Sequence, residues 1–194
     1  MHKVLSMKCA FISGIPASGK TRLAAKVAKM NGALHIEIDK LREEMSNNPK
    51  LRKWVMFFWN KNESKYWKNT DCEQHWENLK NQSEAFWPTI LKKIREVEKS
   101  GKPAIFEGVN ILPHLANKDL KFSGIVLLGG SLKDIFERNK KEPRWGQTEE
   151  LQKMEAKAFY TCEQPRYKSE AETYEYPTFS DLKEAEKKLL KILG

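Results

Sequence analysis

The chain is predicted to fold as an α/β protein, an open parallel sheet sandwiched between helices, and three observations carry that expectation. A glycine-rich segment, Gly14-Ile15-Pro16-Ala17-Ser18-Gly19-Lys20-Thr21, lies between a short apolar stretch and one with helical periodicity. Further β-capable and helical stretches alternate through the rest of the chain. Two of the predicted strands run into a carboxylate, Asp39 and Glu107, at the edge where open α/β sheets place ligands.

The glycine-rich segment fits G-x-x-x-x-G-K-[ST], the phosphate-binding P-loop. Cys9-Ala10-Phe11-Ile12-Ser13 supplies the strand before it, and Leu23, Val27 and Met30 mark the helix after it. Glycines let the backbone turn tightly and aim its N–H groups inward, and the helix start adds its positive dipole end. Residues Gly14 to Thr21 are therefore the expected polyphosphate cradle, with Lys20 reaching the β- and γ-phosphates and the Thr21 hydroxyl placed for Mg²⁺.

At 194 residues with 40% apolar side chains, one domain is expected, and disordered and fibrous classes are excluded. The opening residues Met1 to Ser6 are too short and polar for a signal peptide, and no apolar run approaches a membrane span. Cys9, Cys72 and Cys162 are scattered and odd in number, which suggests reduced thiols, a cytoplasmic location and no zinc site. A net charge of +9 favours anionic ligands, although many lysines belong to solvated helix faces.

After the first helix, Asn31-Gly32 provides a stop, and Ala33 to Ile38 alternate as a second strand leading to Asp39. Asp39 and Arg42, three apart at a helix start, point the same way. Residues 50–59 read as a short aromatic helix, and Asn60 to Thr70 as a polar loop. The basic residues Lys50, Arg52, Lys53, Lys61, Lys65 and Lys68 interleave with aromatics here. That composition suits either single-stranded nucleic acid or, preferably, a helical insertion (about 45–100) shaping a pocket. Trp76, Leu79, Phe86, Ile90, Ile94 and Val97 form a helical stripe, which Pro88 is expected to kink or split.

Ala104-Ile105-Phe106 is a third strand, and Glu107 closes it in the Walker-B manner, near the expected magnesium, with Gly108 allowing close approach. Phe122 to Leu128 is a fourth strand, and Ser131 caps the helix that follows. Arg138, Lys140, Lys141 and Arg144 then suit a lid, about 138–148, whose arginines would neutralise a transferring phosphoryl group. Thr148 starts another helix, interrupted at Pro165, beyond which Arg166 and Tyr167 are further candidates to face the pocket. Tyr174 to Phe179 forms a fifth strand, and Leu182 to Ile192 a closing amphipathic helix.

Strand, P-loop, helix and an arginine-bearing lid together resemble the P-loop kinases of the nucleoside/nucleotide-kinase-like group, over nearly the whole chain. That resemblance implies a three-layer P-loop NTPase fold with a five-stranded parallel sheet in the order 2-3-1-4-5. Asp39-Lys40-Leu41-Arg42 is similar to the D-x-x-R of polynucleotide 5′-hydroxyl kinases, in which the aspartate is the general base and the arginine contacts substrate phosphate. Phe106 to Pro113 resembles the E-G-V-H-x-x-P stretch of 2-phosphoglycerate kinases, with Asn110 where those have histidine. Zeta toxins and chloramphenicol phosphotransferases share the general plan, so several acceptors stay open.

The expected function is an ATP- and Mg²⁺-dependent kinase acting on a small anionic acceptor: a nucleotide, nucleoside or phosphorylated metabolite. In that role Lys20 and the loop hold ATP, Thr21 and Glu107 hold Mg²⁺, Asp39 is the base, Arg42 grips the acceptor, and Arg138 and Arg144 close from above. The alternatives are a polynucleotide 5′-hydroxyl kinase and a nucleotide-binding ATPase or switch without an acceptor.

Overall fold

The computed structural model describes residues 8–194. The opening residues, read above as too short for a signal peptide, lie outside the described range.

Five parallel strands form one sheet in the order β2-β3-β1-β4-β5. They are β1 (Cys9–Gly14), β2 (Leu34–Glu37), β3 (Ala104–Glu107), β4 (Gly124–Leu127) and β5 (Thr178–Phe179). This is the expected order. The alternation of side chains along β1 explains the three layers. Ala10 and Ile12 join a core with Leu23, Val27, Leu189 and Leu193 on one face. Cys9 and Phe11 join Phe86, Ile90, Ile94 and Tyr167 on the other. Helices α1 (Lys20–Asn31) and α10 (Leu182–Leu193) supply the first layer. The 28-residue α5 (Cys72–Lys99) dominates the second.

Register positions the candidate chemistry. Ile12 pairs with Glu107, Glu37 pairs with the same Glu107, and Gly14 pairs with Leu127. The glycine-rich loop therefore leaves the sheet directly beside the end of β3.

Several elements differ from expectation. Helix α5 runs through Pro88 without splitting. Proline removes one N–H from the ladder, but Phe86, Trp87, Ile90 and Ile94 on either side of it are buried in one core, which holds both halves as one helix. Residues expected to loop form α4 (Glu63–Asn69), because the Asn62 side chain caps it by accepting from Lys65 N–H and Tyr66 is buried. Helices α2 (Arg42–Ser46) and α3 (Pro49–Val55) precede it. After α6 (Pro113–Asp119), α7 (Leu132–Lys141) begins with the expected Ser131 cap, completed by Asp134 into a capping box. Helix α8 (Glu149–Ala158) does not stop at Pro165: a π-helical turn, Phe159–Glu163, connects it to α9 (Gln164–Thr173). The wide turn precedes the residue that lacks an N–H. The fifth strand is two residues long, not six.

The cysteine expectation is corrected. Cys72, at the start of α5, and Cys162, in the π-helical turn, form a disulfide with their Cα atoms 4.8 Å apart. Spacing in sequence gave no sign of it, because 90 residues separate the two. Cys9 is the free cysteine, buried in β1 as expected. No helix among the described residues is long and apolar enough to cross a membrane.

Candidate active site

The site grows from the loop between β1 and α1. Gly14 has φ 126° and Gly19 φ 94°, left-handed values that disfavour side chains. A Cβ on Gly14 would also run into the Leu127 carbonyl of the neighbouring strand. Ala17 takes φ 53° without being glycine, so the loop holds one residue in an uncommon conformation. Ile15, Ala17 and Ser18 are buried, while Pro16 and Gly19 are half-buried.

Lys20 is 6% exposed, and its Nζ donates to Ile15 O (2.6 Å), Gly14 O (3.0 Å) and Ser18 Oγ (3.3 Å). Burial pulls it down to about 8, helped by the charge of Arg144 and opposed by Glu107, Asp39 and Glu163. Thr21 Oγ1 donates to Glu107 Oε1 at 3.0 Å. His35 Nε2, on β2, lies 3.6 Å from that same oxygen. Burial alone would raise Glu107, but His35, Lys20 and Thr21 outweigh it and hold the carboxyl below its usual value. A hydroxyl and an ionised carboxylate 3.0 Å apart beside a phosphate loop form an oxygen donor set suited to Mg²⁺. The structure thus brings together Thr21 and Glu107; His35 is the member that sequence reasoning missed.

Asp39 lies two residues beyond β2, on a 3₁₀ turn spanning Ile38–Leu41, with its side chain half exposed. Gly108 lies against this turn, where a Cβ would meet Ile38 Cβ at 2.9 Å. Arg42 sits beside Asp39 (Nε to Oδ1, 3.8 Å) and above the rings of Trp59 and Phe86 at 5.3 and 5.5 Å. Asn110 explains its own position: buried, it donates to Ser83 Oγ (2.9 Å) and Gln82 Oε1 (3.3 Å) on α5 and accepts from Arg42 Nη2 (3.3 Å). Arg42 Nη1 is buried with no partner.

Arg138, on α7, donates from Nη1 to Ala17 O (3.0 Å) and Gly129 O (2.7 Å), so its guanidinium braces the glycine-rich loop. Arg144 is exposed in the segment between α7 and α8. Both line a cavity of about 770 Å³ that also takes in the P-loop, Asp39, Arg42 and Glu107. Arg166 is not in this wall; it is exposed and pairs with Glu73. Tyr167 is a core residue whose hydroxyl donates to Val109 O at 2.5 Å.

Away from the loop, the cavity is walled by Phe58, Trp59, Trp67, Trp145 and Phe159. Two buried networks back this wall. Glu155 accepts from Gly146 N–H (2.6 Å) and Asn139 Nδ2 (2.5 Å), tying the 142–148 segment to α8. Its neighbour Glu63 is raised to about 7 by burial and by its contact with Glu155, against the hydrogen bond from Trp67. The second network runs from Tyr66 through His75 to Glu163. These acids and the histidine are scattered in sequence among unremarkable helical positions, and only packing reveals them.

No protein-family model matches the chain, and no curated protein matches its sequence. Among solved structures, the chain is similar to a shikimate kinase from Acinetobacter baumannii in complex with shikimate. The likeness covers 97% of this chain and 93% of that one, at 12% identity and a TM-score of 0.56. It is also similar to a deoxyadenosine kinase from M. mycoides with bound dATP. There the coverage is 95% and 98%, with 18% identity and a TM-score of 0.51. Sheet order, loop and these likenesses together define the fold: that of the nucleoside/nucleotide-kinase-like P-loop proteins.

Proposed function

We propose that this protein is a kinase that transfers the γ-phosphoryl group of ATP to a hydroxyl or phosphate of a small anionic acceptor. The observation that carries the proposal is the meeting, in one cavity, of the P-loop with Lys20 and the Asp39–Arg42 pair. A donor cradle beside a carboxylate–guanidinium pair is what a two-substrate phosphotransferase needs, since phosphoryl transfer depends mainly on positioning and charge neutralisation.

In this mechanism the loop amides and Lys20 hold the triphosphate. Thr21 and Glu107 would hold Mg²⁺, which supplies charge neutralisation for the phosphates when bound. Asp39 orients the acceptor hydroxyl and takes its proton; its exposure leaves it accessible to an incoming molecule. Arg42, held by Asn110, grips an anionic group of the acceptor. Arg138, in α7, steadies the loop, and Arg144 closes from the segment between α7 and α8, which acts as the lid. The solved structures of similar fold, a shikimate kinase and a deoxyadenosine kinase, support a small acceptor.

The test is ATP consumption against a panel of nucleosides, nucleotides, sugar phosphates, glycerates and 5′-hydroxyl oligonucleotides. With the acceptor found, Asp39→Asn should reduce kcat by about 10²–10⁴ while ATP binding survives. An Asp39→Asn enzyme of full activity would remove the base assignment. Unchanged turnover in Lys20→Ala would remove the kinase itself, and acceptor-independent hydrolysis would favour an ATPase or switch.

A further inference from the structure

The Tyr66–His75–Glu163 network contains an open valence. Asn78 Nδ2 donates to Tyr66 Oη (3.2 Å), Tyr66 Oη lies 2.8 Å from His75 Nδ1, and His75 Nε2 lies 2.9 Å from Glu163 Oε1. One arrangement of protons satisfies all three of these hydrogen bonds. The phenol, pushed up to about 12 mainly by burial, keeps its proton and donates to Nδ1; Nε2–H then donates to Glu163. A second proton, on Nδ1, would leave the Tyr66 hydroxyl hydrogen without an acceptor. The chain of donors therefore runs one way and ends on the carboxylate.

Glu163 is 3% exposed, and its Oε2 is buried without a partner. Among the described residues no lysine or arginine lies within 4.0 Å of the carboxylate; His75 is its one basic contact. A buried carboxylate with a free oxygen and no cation in contact is costly unless something else completes it. Glu163 lines the cavity, in the wall that carries Phe58, Trp67, Trp145 and Phe159. The rings brace one another: Phe58 lies edge to face 6.0 Å from Trp145, Trp67 lies tilted 5.9 Å from Trp145, and Trp67 lies edge to face 5.0 Å from His75. Aromatic rings beside a buried carboxylate suit a positive nitrogen, which the full charge attracts and the rings tolerate without competing for its charge.

We propose that Glu163 is a specificity-determining residue that binds a cationic nitrogen of the acceptor. The acceptor is then an amphoteric hydroxyl compound, its ammonium on Glu163 among the rings and its anionic group on Arg42. This deepens the proposed kinase function and rests on it for the word acceptor, but the contact itself is a matter of binding.

The test is calorimetric binding to the full chain with matched hydroxyl compounds. The pairs are serine and glycerate, homoserine and 4-hydroxybutyrate, ethanolamine and ethylene glycol, choline and 3,3-dimethylbutanol. In at least one pair the member with the cationic nitrogen should bind tenfold or more tighter than its nitrogen-free partner. Glu163→Gln should abolish that preference and leave affinity for a non-hydrolysable ATP analogue within twofold. Glu163→Asp, which keeps the charge, should restore some of the preference, and it covers the case in which the glutamine variant does not fold. No preference for any cationic member, or a preference that survives Glu163→Gln, overturns the proposal. ATP consumption supported by the nitrogen-free compounds alone overturns it while sparing the kinase function. Cation binding without ATP consumption by any acceptor does the reverse.

Discussion

Lys20 shows how one residue's surroundings set a measurable property. Its ammonium is enclosed by three loop oxygens, and burial brings it down to about 8. A polyphosphate binds the ammonium and not the amine, so nucleotide affinity should be full below about pH 8 and fall as pH rises through it. The loss should approach about tenfold per pH unit, since above the pKa a proton must be taken up on binding. Titration of a fluorescent ATP analogue at several pH values would show this, and a flat profile would mean that Lys20 does not contact the phosphates. At this scale the sequence was most informative where chemistry is local. Gly14 to Thr21 are contiguous, and Glu107 is announced by the apolar run before it. His35, His75 and Glu163 were illegible because each gains its meaning from a partner on another element: Glu107 for His35, and each other for the pair.

Among the elements, α5 and the π-helical turn show what periodicity can and cannot reveal. The apolar stripe from Trp76 to Val97 announces a helix, and burial of that stripe carries the helix past Pro88. Helix α4 was hidden because its sequence is polar; it exists through the Asn62 cap and the docking of Tyr66 and Trp67 against His75. Strand β5 was overdrawn because two aromatic residues before it, Tyr174 and Tyr176, imitate a strand pattern. The Cys72–Cys162 bond joins α5 to the π-helical turn and closes a loop with a sequence separation of 90. It should stabilise the fold by restricting the unfolded chain, by about 2–4 kcal/mol. Cys72→Ser should therefore melt roughly 4–16 °C lower under non-reducing conditions. Dithiothreitol should bring the parent protein down to the variant's melting temperature and leave the variant unmoved. Equal melting of the two proteins without reductant would show that the bond contributes nothing.

Over the whole molecule, a net charge of +9 leaves open whether the aromatic, basic stretch around residues 50–68 serves nucleic acid. Stacking on bases needs free ring faces. Here the rings are turned on one another: Trp54 lies 5.5 Å from Phe57, Phe57 lies 5.0 Å from Phe58, and Phe58 lies 5.7 Å from Tyr66. The stretch's own cations occupy other faces, with Lys61 Nζ 4.5 Å above Phe57 and Lys53 Nζ 5.4 Å above Trp54. Trp59 is the exposed exception at 48%, and it lies beneath Arg42. A base arriving here would have to displace a lysine from a ring or wedge between packed rings, and either loss offsets much of what stacking returns. Binding of an oligonucleotide should then be electrostatic alone. Its affinity should fall by at least about tenfold between about 50 and 200 mM salt through counterion release, and a 5′-hydroxyl end should not stimulate ATP consumption. Salt-resistant binding accompanied by phosphorylation of that end would instead make the polynucleotide the acceptor, with Asp39 and Arg42 keeping their roles and the aromatic stretch becoming its track.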